Sequence, residues 1–292
     1  MTTTSKGIRA AQTGLLINVV LVVVKLIAGI VGNTYALVAD AIESSTDVFS
    51  SLIVWAGLSI AARPADEDHP YGHGKAEPLA AVIVAILLLG AATGIFILAI
   101  REIRTPYHSP APFTLGVAAG VMLIKEILYR RVRRVGREVG GTAVSADAWH
   151  HRSDAISSLA AFIGIGISLW GGKGWESADD WAALVAAVVA AVNGVRALRP
   201  AVAHLMDAAP DRTVIDRAIA AASTVDGVRK LESVHVRSSG LGYFVDLHAQ
   251  ADPLLTLEEA HTLSGRIKSA IAHEIPSVVK VLVHMEPFKD SE

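Results

Sequence analysis

The chain has 292 residues, of which 52% are hydrophobic and only 18% are charged. Because soluble domains carry about 25% charged residues, this composition excludes a disordered chain and argues against an entirely soluble protein. Residues 1–204 carry 17 Lys and Arg against 15 Asp and Glu, and residues 205–292 carry 9 against 13, so neither part is basic enough for a nucleic-acid partner. The sequence has no cysteine, so soft-metal chemistry would depend on its 11 histidines.

Six apolar stretches fill most of residues 1–204. They lie at 13–32, 35–62, 78–100, 112–130, 143–170 and 180–198. A helix needs roughly 20 apolar residues to cross a hydrocarbon core about 30 Å thick. The pattern therefore predicts an α-helical transmembrane domain of six helices over residues 1–204.

The basic residues predict the orientation of these six spans. Nine of them lie in the N-terminal segment and in the loops after the second and fourth stretches: Lys6, Arg9, Arg63, Lys75, Arg130, Arg131, Arg133, Arg134 and Arg137. The opposite loops hold only Arg101, Arg104 and Lys173. Because cytoplasmic loops are enriched in Lys and Arg, we expect a multi-pass protein of the inner, cytoplasmic membrane with both termini in the cytoplasm.

Residues 205–292 have the pattern of a small α+β domain in the order αββαβ. A helix is predicted after Asp211, which can act as its N-cap, and another after Thr256, with Glu259 three residues later in a capping box. Three alternating segments, at 228–239, 242–250 and 278–287, have the period of strands. This length suits one two-layer domain that folds independently, and we expect it to be cytoplasmic.

Two of the predicted spans contain related sequences. ALVADAIESSTDVFSSL (36–52) and AVSADAWHHRSDAISSL (143–159) align without gaps and are identical at eight of 17 positions. Each copy carries three ionisable residues at i, i+3 and i+7, which share a helix face: Asp40, Glu43 and Asp47 in the first, and Asp147, His150 and Asp154 in the second. Transporters often build their substrate site from such repeats.

An acidic residue at the centre of a membrane helix costs about 2.5–3.5 kcal/mol on insertion scales, so these groups favour a bound cation, protons or a water-filled cavity. If the two faces meet, four residues supply three carboxylates and one imidazole: Glu43, Asp47, His150 and Asp154. That set suits tetrahedral Zn²⁺ and also accepts Fe²⁺, Mn²⁺, Co²⁺ or Cd²⁺. Asp40 and Asp147, nearer the helix ends, have two interpretations: proton or ion access, or structural hydrogen bonding.

Further candidate metal ligands lie outside the predicted spans. The loop ARPADEDHPYGHGKAEPL is a Gly- and Pro-rich segment that can wrap around an ion, although a solvated acidic loop is the alternative. Within eight residues it offers Asp66, Glu67, Asp68, His69 and His73. The C-terminal domain contains several candidates, each weak evidence by itself: Glu232, His235, His248, His261, His273, His284 and Glu286.

The segments ADAIESSTD, HPYGHGKAEPLA and ADAWHHRSD, together with the αββαβ tail, resemble the cation diffusion facilitator family, in particular its bacterial zinc/iron transporters. The resemblance implies a homodimer in the lipid bilayer that exchanges a divalent metal ion for protons. It implies a transport site of Glu43, Asp47, His150 and Asp154, and a loop metal site of Asp66, His69 and His73. It also implies a cytoplasmic-domain metal site of Glu232, His248, His261, His284 and Glu286, and a contact between subunits made by Lys75 and Asp207. Glu43, Glu232 and Glu286 stand where relatives more often carry other ligands.

The sequence therefore predicts proton-coupled efflux of divalent transition metals, with Zn²⁺ as the first expectation and Fe²⁺, Mn²⁺, Cd²⁺ and Co²⁺ as alternatives. Metal ions would be both substrate and regulatory ligands, and we expect no organic cofactor. The sequence has no GxxxxGK[ST] loop for ATP. A membrane-anchored metal sensor is an alternative function. An intramembrane metallohydrolase is another, but its HExxH helix is missing from the sequence.

Overall fold

The computed structural model describes residues 3–104, 110–139, 158–172, 174–240 and 242–289, and side chains over these ranges except 3–15 and 131–139. The chain forms two compact units. The first comprises Met1–Ile53 with Ile83–Ala197, and the second comprises Val54–Val82 with Leu198–Glu292.

Six helices precede residue 206 in the described part of the chain. They are α1 (Thr3–Val31), α2 (Tyr35–Ala61), α3 (Ala76–Arg104), α4 (Phe113–Val139), α5, described over Ser158–Trp170, and α6 (Ala178–Leu205). Of these, α2, α3 and α6 are long and apolar enough by themselves to cross a membrane, while α1 and α5 contain shorter apolar segments. The predicted helical membrane domain is confirmed, and each of the six apolar stretches overlaps one of these helices.

The membrane helices pack through small side chains. One buried cluster joins α1, α2, α4 and α5, and another joins α2, α3 and α6, and both are rich in alanine. Large apolar side chains such as Trp55 and Ile97 are exposed instead. Lipid tails are as apolar as leucine, so helix association in a bilayer depends on close packing of small residues.

The end of α6 differs from the sequence pattern. The apolar pattern changes at Pro200, but the helix continues through that residue to Leu205. Proline removes one backbone donor, and the hydrogen bonds of neighbouring turns are enough to continue the helix. The backbone then turns at Asp207, a non-glycine residue with a φ of 57°.

The C-terminal domain has the predicted element order, which confirms the αββαβ fold: α7 (Arg212–Ser223), β1 (Lys230–Ser239), β2 (Gly242–Ala251), α8 (Leu257–Glu274) and β3 (Val278–Pro287). The sheet order is β1-β2-β3, with β1 antiparallel and β3 parallel to β2. Because a parallel neighbour needs a crossover connection, α8 carries the chain from β2 back to the start of β3.

Both predicted helix caps are present. Asp211 Oδ1 accepts a hydrogen bond of 2.9 Å from the Thr213 amide at the start of α7. Thr256 and Glu259 form the reciprocal capping box of α8. These bonds satisfy amide groups that have no partner within their own helices.

The two faces of the sheet have different roles. Val245, Leu247 and Ala249 of β2 point into a core that also contains Ile267 and Ile271 of α8. Because side chains alternate along a strand, residues 244, 246, 248 and 250 lie on the opposite face, away from this core. The register of β1 shifts between Leu231 and Ser233, which places a bulge at Glu232.

Candidate metal sites

Helix α2 carries the first predicted acidic face. Asp40 is buried, and Glu43 and Asp47 are half-buried. Both half-buried carboxylates have interaction partners. Their predicted counterparts Asp147, His150 and Asp154 lie outside the described residues, so the four-ligand transport site stays a prediction.

Asp40 is held in an ion pair inside the helix bundle. Its Oδ1 lies 3.0 Å from Lys25 Nζ, with both side chains almost fully buried. Its Oδ2 accepts a hydrogen bond of 2.9 Å from Ser158 Oγ on α5. Of the two interpretations of Asp40, these contacts favour structural hydrogen bonding.

Two lysines take part in these buried contacts, and the sequence analysis assigned a role to neither. Lys25 Nζ donates to the Asp40 carbonyl oxygen at 3.1 Å and to Ser44 Oγ at 2.7 Å. Lys125 Nζ of α4 donates to the same Ser44 hydroxyl at 3.2 Å. We call Lys25, Asp40, Ser44, Lys125 and Ser158 the buried network. The sequence indicates this network only through Lys25 and Lys125, which lie within two mainly apolar stretches.

The loop between α2 and α3 gathers Asp66, His69 and His73, which we call the loop cluster. One ligand atom from each residue lies within 4.8 Å of the others. Asp66 Oδ1 accepts a hydrogen bond of 2.6 Å from the His69 amide and lies 3.1 Å from His69 Nδ1, while Oδ2 lies 3.4 Å from His73 Nε2. The His69 amide bond, followed by its imidazole and the charges of both rings, lowers the pKa of Asp66. Asp66 therefore stays an anion to lower pH than an ordinary aspartate.

The histidine orientation in the loop cluster suits a metal ligand. His73 Nδ1 lies 3.2 Å from the Pro64 carbonyl oxygen, so it can donate there. In a neutral ring with this tautomer the lone pair is on Nε2, which is then available to a metal ion shared with Asp66. Such a bond from the second ring nitrogen fixes the orientation of metal-binding histidines.

Tight turns and close packing hold the loop. Gly72, with a φ of 79°, donates to the His69 carbonyl oxygen at 2.9 Å. The backbone at Gly74 packs directly against Ser239 and Gly240 at the β1–β2 turn, where a Cβ would clash. Position 74 therefore requires glycine because there is no room for a Cβ, and not because of its backbone angles.

A second group, the sheet cluster, comprises His248, His284 and Glu286. His248 on β2 and His284 on β3 are register partners, and their ring centroids are 4.8 Å apart. Glu286 Oε1 lies 2.8 Å from His248 Nδ1 and 3.6 Å from His284 Nε2. One ligand atom of each residue lies within 4.8 Å of the others.

Glu232 reaches the sheet cluster from the bulge in β1. The hydrogen bond shared with Glu232, followed by that with His248, lowers the pKa of Glu286, so Glu286 favours its anionic form. His261 has a different position. It lies exposed on α8, which packs on the other face of the sheet, and it does not belong to the group of three.

Lys75 and Asp207, predicted as a contact between subunits, pair within a single chain. Lys75 Nζ lies 2.5 Å from Asp207 Oδ1 and donates to the His204 carbonyl oxygen at 2.6 Å. Arg237 Nη1 approaches Asp207 Oδ2 at 3.1 Å. The hydrogen bond from Lys75, supported by both positive charges, lowers the pKa of Asp207.

A bundle of apolar helices with a buried acidic face, followed by an α+β domain with histidine and carboxylate clusters, defines a membrane protein of the metal-transporter class. The model of the cation efflux transmembrane domain matches residues 11–206, and that of the cation efflux protein cytoplasmic domain matches residues 210–288. The chain belongs to the cation efflux, or cation diffusion facilitator, family of metal transporters.

Similar proteins span nearly the same length. The manganese efflux system protein MneP of Bacillus subtilis is 32% identical over 284 residues, covering 96% of each chain. The cation-efflux pump FieF of Serratia proteamaculans is 30% identical over 274 residues, covering 92% of this chain and 88% of its own. Among solved structures, a MamM CTD in its cadmium form is 26% identical, covers 27% of this chain and 98% of its own, and has a TM-score of 0.26.

Proposed function

We propose that this protein exports divalent transition-metal ions from the cytoplasm in exchange for protons, by alternating access. The observation that carries the proposal is the acidic face of α2, where Glu43 and Asp47 stand half-buried in a membrane helix of a cation efflux protein. Carboxylates in such a helix mark ion pathways and proton relays.

The proposed transport site combines Glu43 and Asp47 with His150 and Asp154. Metal binding to this set requires deprotonated ligands, so loading releases protons. Histidine ordinarily titrates near pH 6.5, which lets an imidazole exchange a proton for a metal close to neutral pH. Metal loaded from the cytoplasm is then released where the pH is lower, and no nucleotide is consumed.

We propose Zn²⁺ and Mn²⁺ as the two leading cargoes. Imidazole suits Zn²⁺, whereas carboxylates also suit Mn²⁺, and the proposed site contains both ligand types. Similarity to MneP, named for manganese efflux, supports testing Mn²⁺ beside Zn²⁺. Fe²⁺, Co²⁺ and Cd²⁺ follow as competitors of the same charge.

The loop cluster and the sheet cluster are proposed as cytoplasmic metal sites that regulate transport. Each combines two imidazoles and one carboxylate, a donor set that Zn²⁺ accepts with water as a fourth ligand. We propose a homodimer in the inner membrane with both termini in the cytoplasm. The cytoplasmic domain that matches residues 210–288 supports the homodimer and the position of the C-terminus, and the basic residues of the loops support that of the N-terminus.

The test reconstitutes the full-length protein in vesicles with an imposed pH difference. We expect Zn²⁺ or Mn²⁺ to accumulate in the more acidic compartment, and flux to stop when a protonophore removes the gradient. Asp47→Asn should reduce flux to the level of empty vesicles. The matched control is Asp216→Asn, an exposed carboxylate on α7 paired with Arg212, which should transport normally. Metal binding without flux would favour the membrane-anchored sensor instead.

A further inference from the structure

A cavity of about 270 Å³, which we call the loop–sheet cavity, lies between the loop that joins α2 to α3 and one end of the C-terminal sheet. The loop contributes residues between Ala61 and Gly74, and all of the lining residues belong to the second compact unit. The sheet contributes Ser239 of β1, Phe244 of β2, and Val279 and Lys280 of β3. Ligand pockets for drug-sized molecules begin at about 300 Å³, so this cavity suits a smaller group.

Positive charge dominates the lining of the loop–sheet cavity. Arg63 from the loop and Lys280 from β3 both line it, and both are exposed. Among the described residues that line it, none is an aspartate or a glutamate. An anion that enters the cavity therefore meets two cations from two different elements and no charge of its own sign on the lining.

Aromatic rings hold cations at the wall of the cavity. Lys280 Nζ lies 5.5 Å from the centroid of the Tyr71 ring, a contact that is attractive for an ammonium group. Arg237 Cζ lies 5.8 Å from the same centroid and 5.1 Å from that of Phe244. Because Arg237 also pairs with Asp207, its charge is partly offset. Arg63 and Lys280 therefore supply most of the positive charge.

The loop–sheet cavity lies beside the ends of two membrane helices. Ala61, the last residue of α2, lines it, and so does Gly74, two residues before α3 begins at Ala76. Both helices are long and apolar enough to cross a membrane, so the loop between them lies at the level of the lipid headgroups. In the proposed topology this is the cytoplasmic surface, where leaflets carry anionic lipids and basic pockets bind their headgroups.

We propose that the loop–sheet cavity binds a phosphate-type anion, the headgroup of an anionic phospholipid, with Arg63 and Lys280 as its cationic partners. Phosphate oxygens accept charge-assisted hydrogen bonds from guanidinium and ammonium groups. A bound headgroup would contact both the loop that carries the loop cluster and the C-terminal sheet, and would join them at the membrane surface. From the proposed function the inference takes only the cytoplasmic position of this loop.

The test titrates the full-length protein in neutral detergent with short-chain phosphatidylglycerol and counts bound lipid by native mass spectrometry. Arg63→Gln and Lys280→Gln should each raise the Kd for this lipid about fivefold, and the double variant about 25-fold. Lys280→Arg keeps the charge and should stay within about twofold of the parent. Lys230→Gln is the matched control, because it removes an exposed cation at the opposite end of β1 from Ser239, and its Kd should equal that of the parent.

Two further ligands identify the source of the phosphate group. Short-chain phosphatidylcholine has a phosphate but no net charge and should bind more weakly than phosphatidylglycerol. Inorganic phosphate at the same concentration should not displace the lipid, and displacement would assign the cavity to a free phosphate ion instead. Equal Kd values in the parent and the double variant, or an equal loss in Lys230→Gln, would overturn the site. These measurements need neither metal nor flux, so they stand even if the proposed transport activity fails.

Discussion

Two lysine–aspartate pairs in this protein share a chemistry and differ in surroundings. Lys25 and Asp40 meet at 3.0 Å with side chains 0% and 4% exposed, whereas Lys75 and Asp207 meet at 2.5 Å with side chains 38% and 44% exposed. Although its contact is shorter, we expect the Lys75–Asp207 pair to contribute less to the free energy of unfolding than the Lys25–Asp40 pair. Water screens an exposed pair and also solvates either partner when the other is removed, while a buried partner left alone has no such compensation.

The largest expected effect comes from breaking the buried pair. Asp40→Ala leaves the Lys25 ammonium without its carboxylate and removes the acceptor of Ser158 Oγ, a type of change that costs about 3–5 kcal/mol. Thermal unfolding of the purified protein in detergent should show a clear loss of stability. Removing both charges in Lys25→Met/Asp40→Asn should recover part of it. If the double variant lost as much stability as the Lys25→Met and Asp40→Asn variants together, the pair would not be coupled.

The sheet cluster extends the comparison from ion pairs to proposed metal ligands on the surface of the C-terminal domain. His284→Ala removes one of two neighbouring imidazoles, and we expect the affinity of the C-terminal domain for Zn²⁺ to fall about 10–100-fold. Titration of the full-length protein with Zn²⁺ measures the change. His261→Ala is the discriminating control, because His261 lies on the helix-covered side of the sheet. An equal loss in that variant would restore His261 to the ligand set implied by the family resemblance.

A smaller effect is expected at the loop cluster, whose Asp66 and His69 are more than half exposed. Asp66→Asn should weaken metal binding there by about tenfold, since the amide keeps one oxygen but loses the charge that favours a dication. Asp68→Asn changes a carboxylate two residues away and should have no effect on this site. Competition with a chromophoric chelator resolves the two variants. If both weaken binding equally, only the net charge of the loop matters.

The smallest effect belongs to the exposed pair. Lys75→Met should change the free energy of unfolding by at most about 1 kcal/mol at neutral pH, because both partners remain accessible to water. Since the pKa of Asp207 is lowered in the folded protein, the pair stabilises above the ordinary aspartate range and loses this contribution as the pH falls through the lowered value. The difference between variant and parent, measured by chemical denaturation, should therefore vanish in strong acid and shrink in high salt.

The sequence predicted local features better than distant ones. The loop cluster could be foreseen because its three ligands lie within eight residues and the intervening Pro and Gly exclude a helix. Both helix caps could be predicted equally well, because each depends on residues two or three positions apart. The meeting of His248 with His284 depends instead on the register of two parallel strands separated by α8, which composition does not determine.

Burial and pairing were the least predictable features. Asp40 was flagged by its helical spacing, but its partner Lys25 lies 15 residues earlier on another helix, and their contact depends on how α1 and α2 pack. The sequence indicates the bulge at Glu232 only weakly. Leu231 and Val234 both face the core although they are three residues apart, whereas residues on one face of a regular strand are two or four apart. His261 shows the opposite case: the family resemblance implied a ligand, but His261 lies exposed on α8, which packs on the other face of the sheet.

The helix-free face of the sheet has a consequence for the kinetics of metal exchange. His248 and His284 are 45% and 62% exposed, so a small chelator can approach an ion held there without any element of the domain unfolding. The sheet cluster should therefore equilibrate with the cytosolic metal pool faster than a site enclosed by membrane helices. Such a site would respond to a rising metal concentration before the enclosed membrane site does.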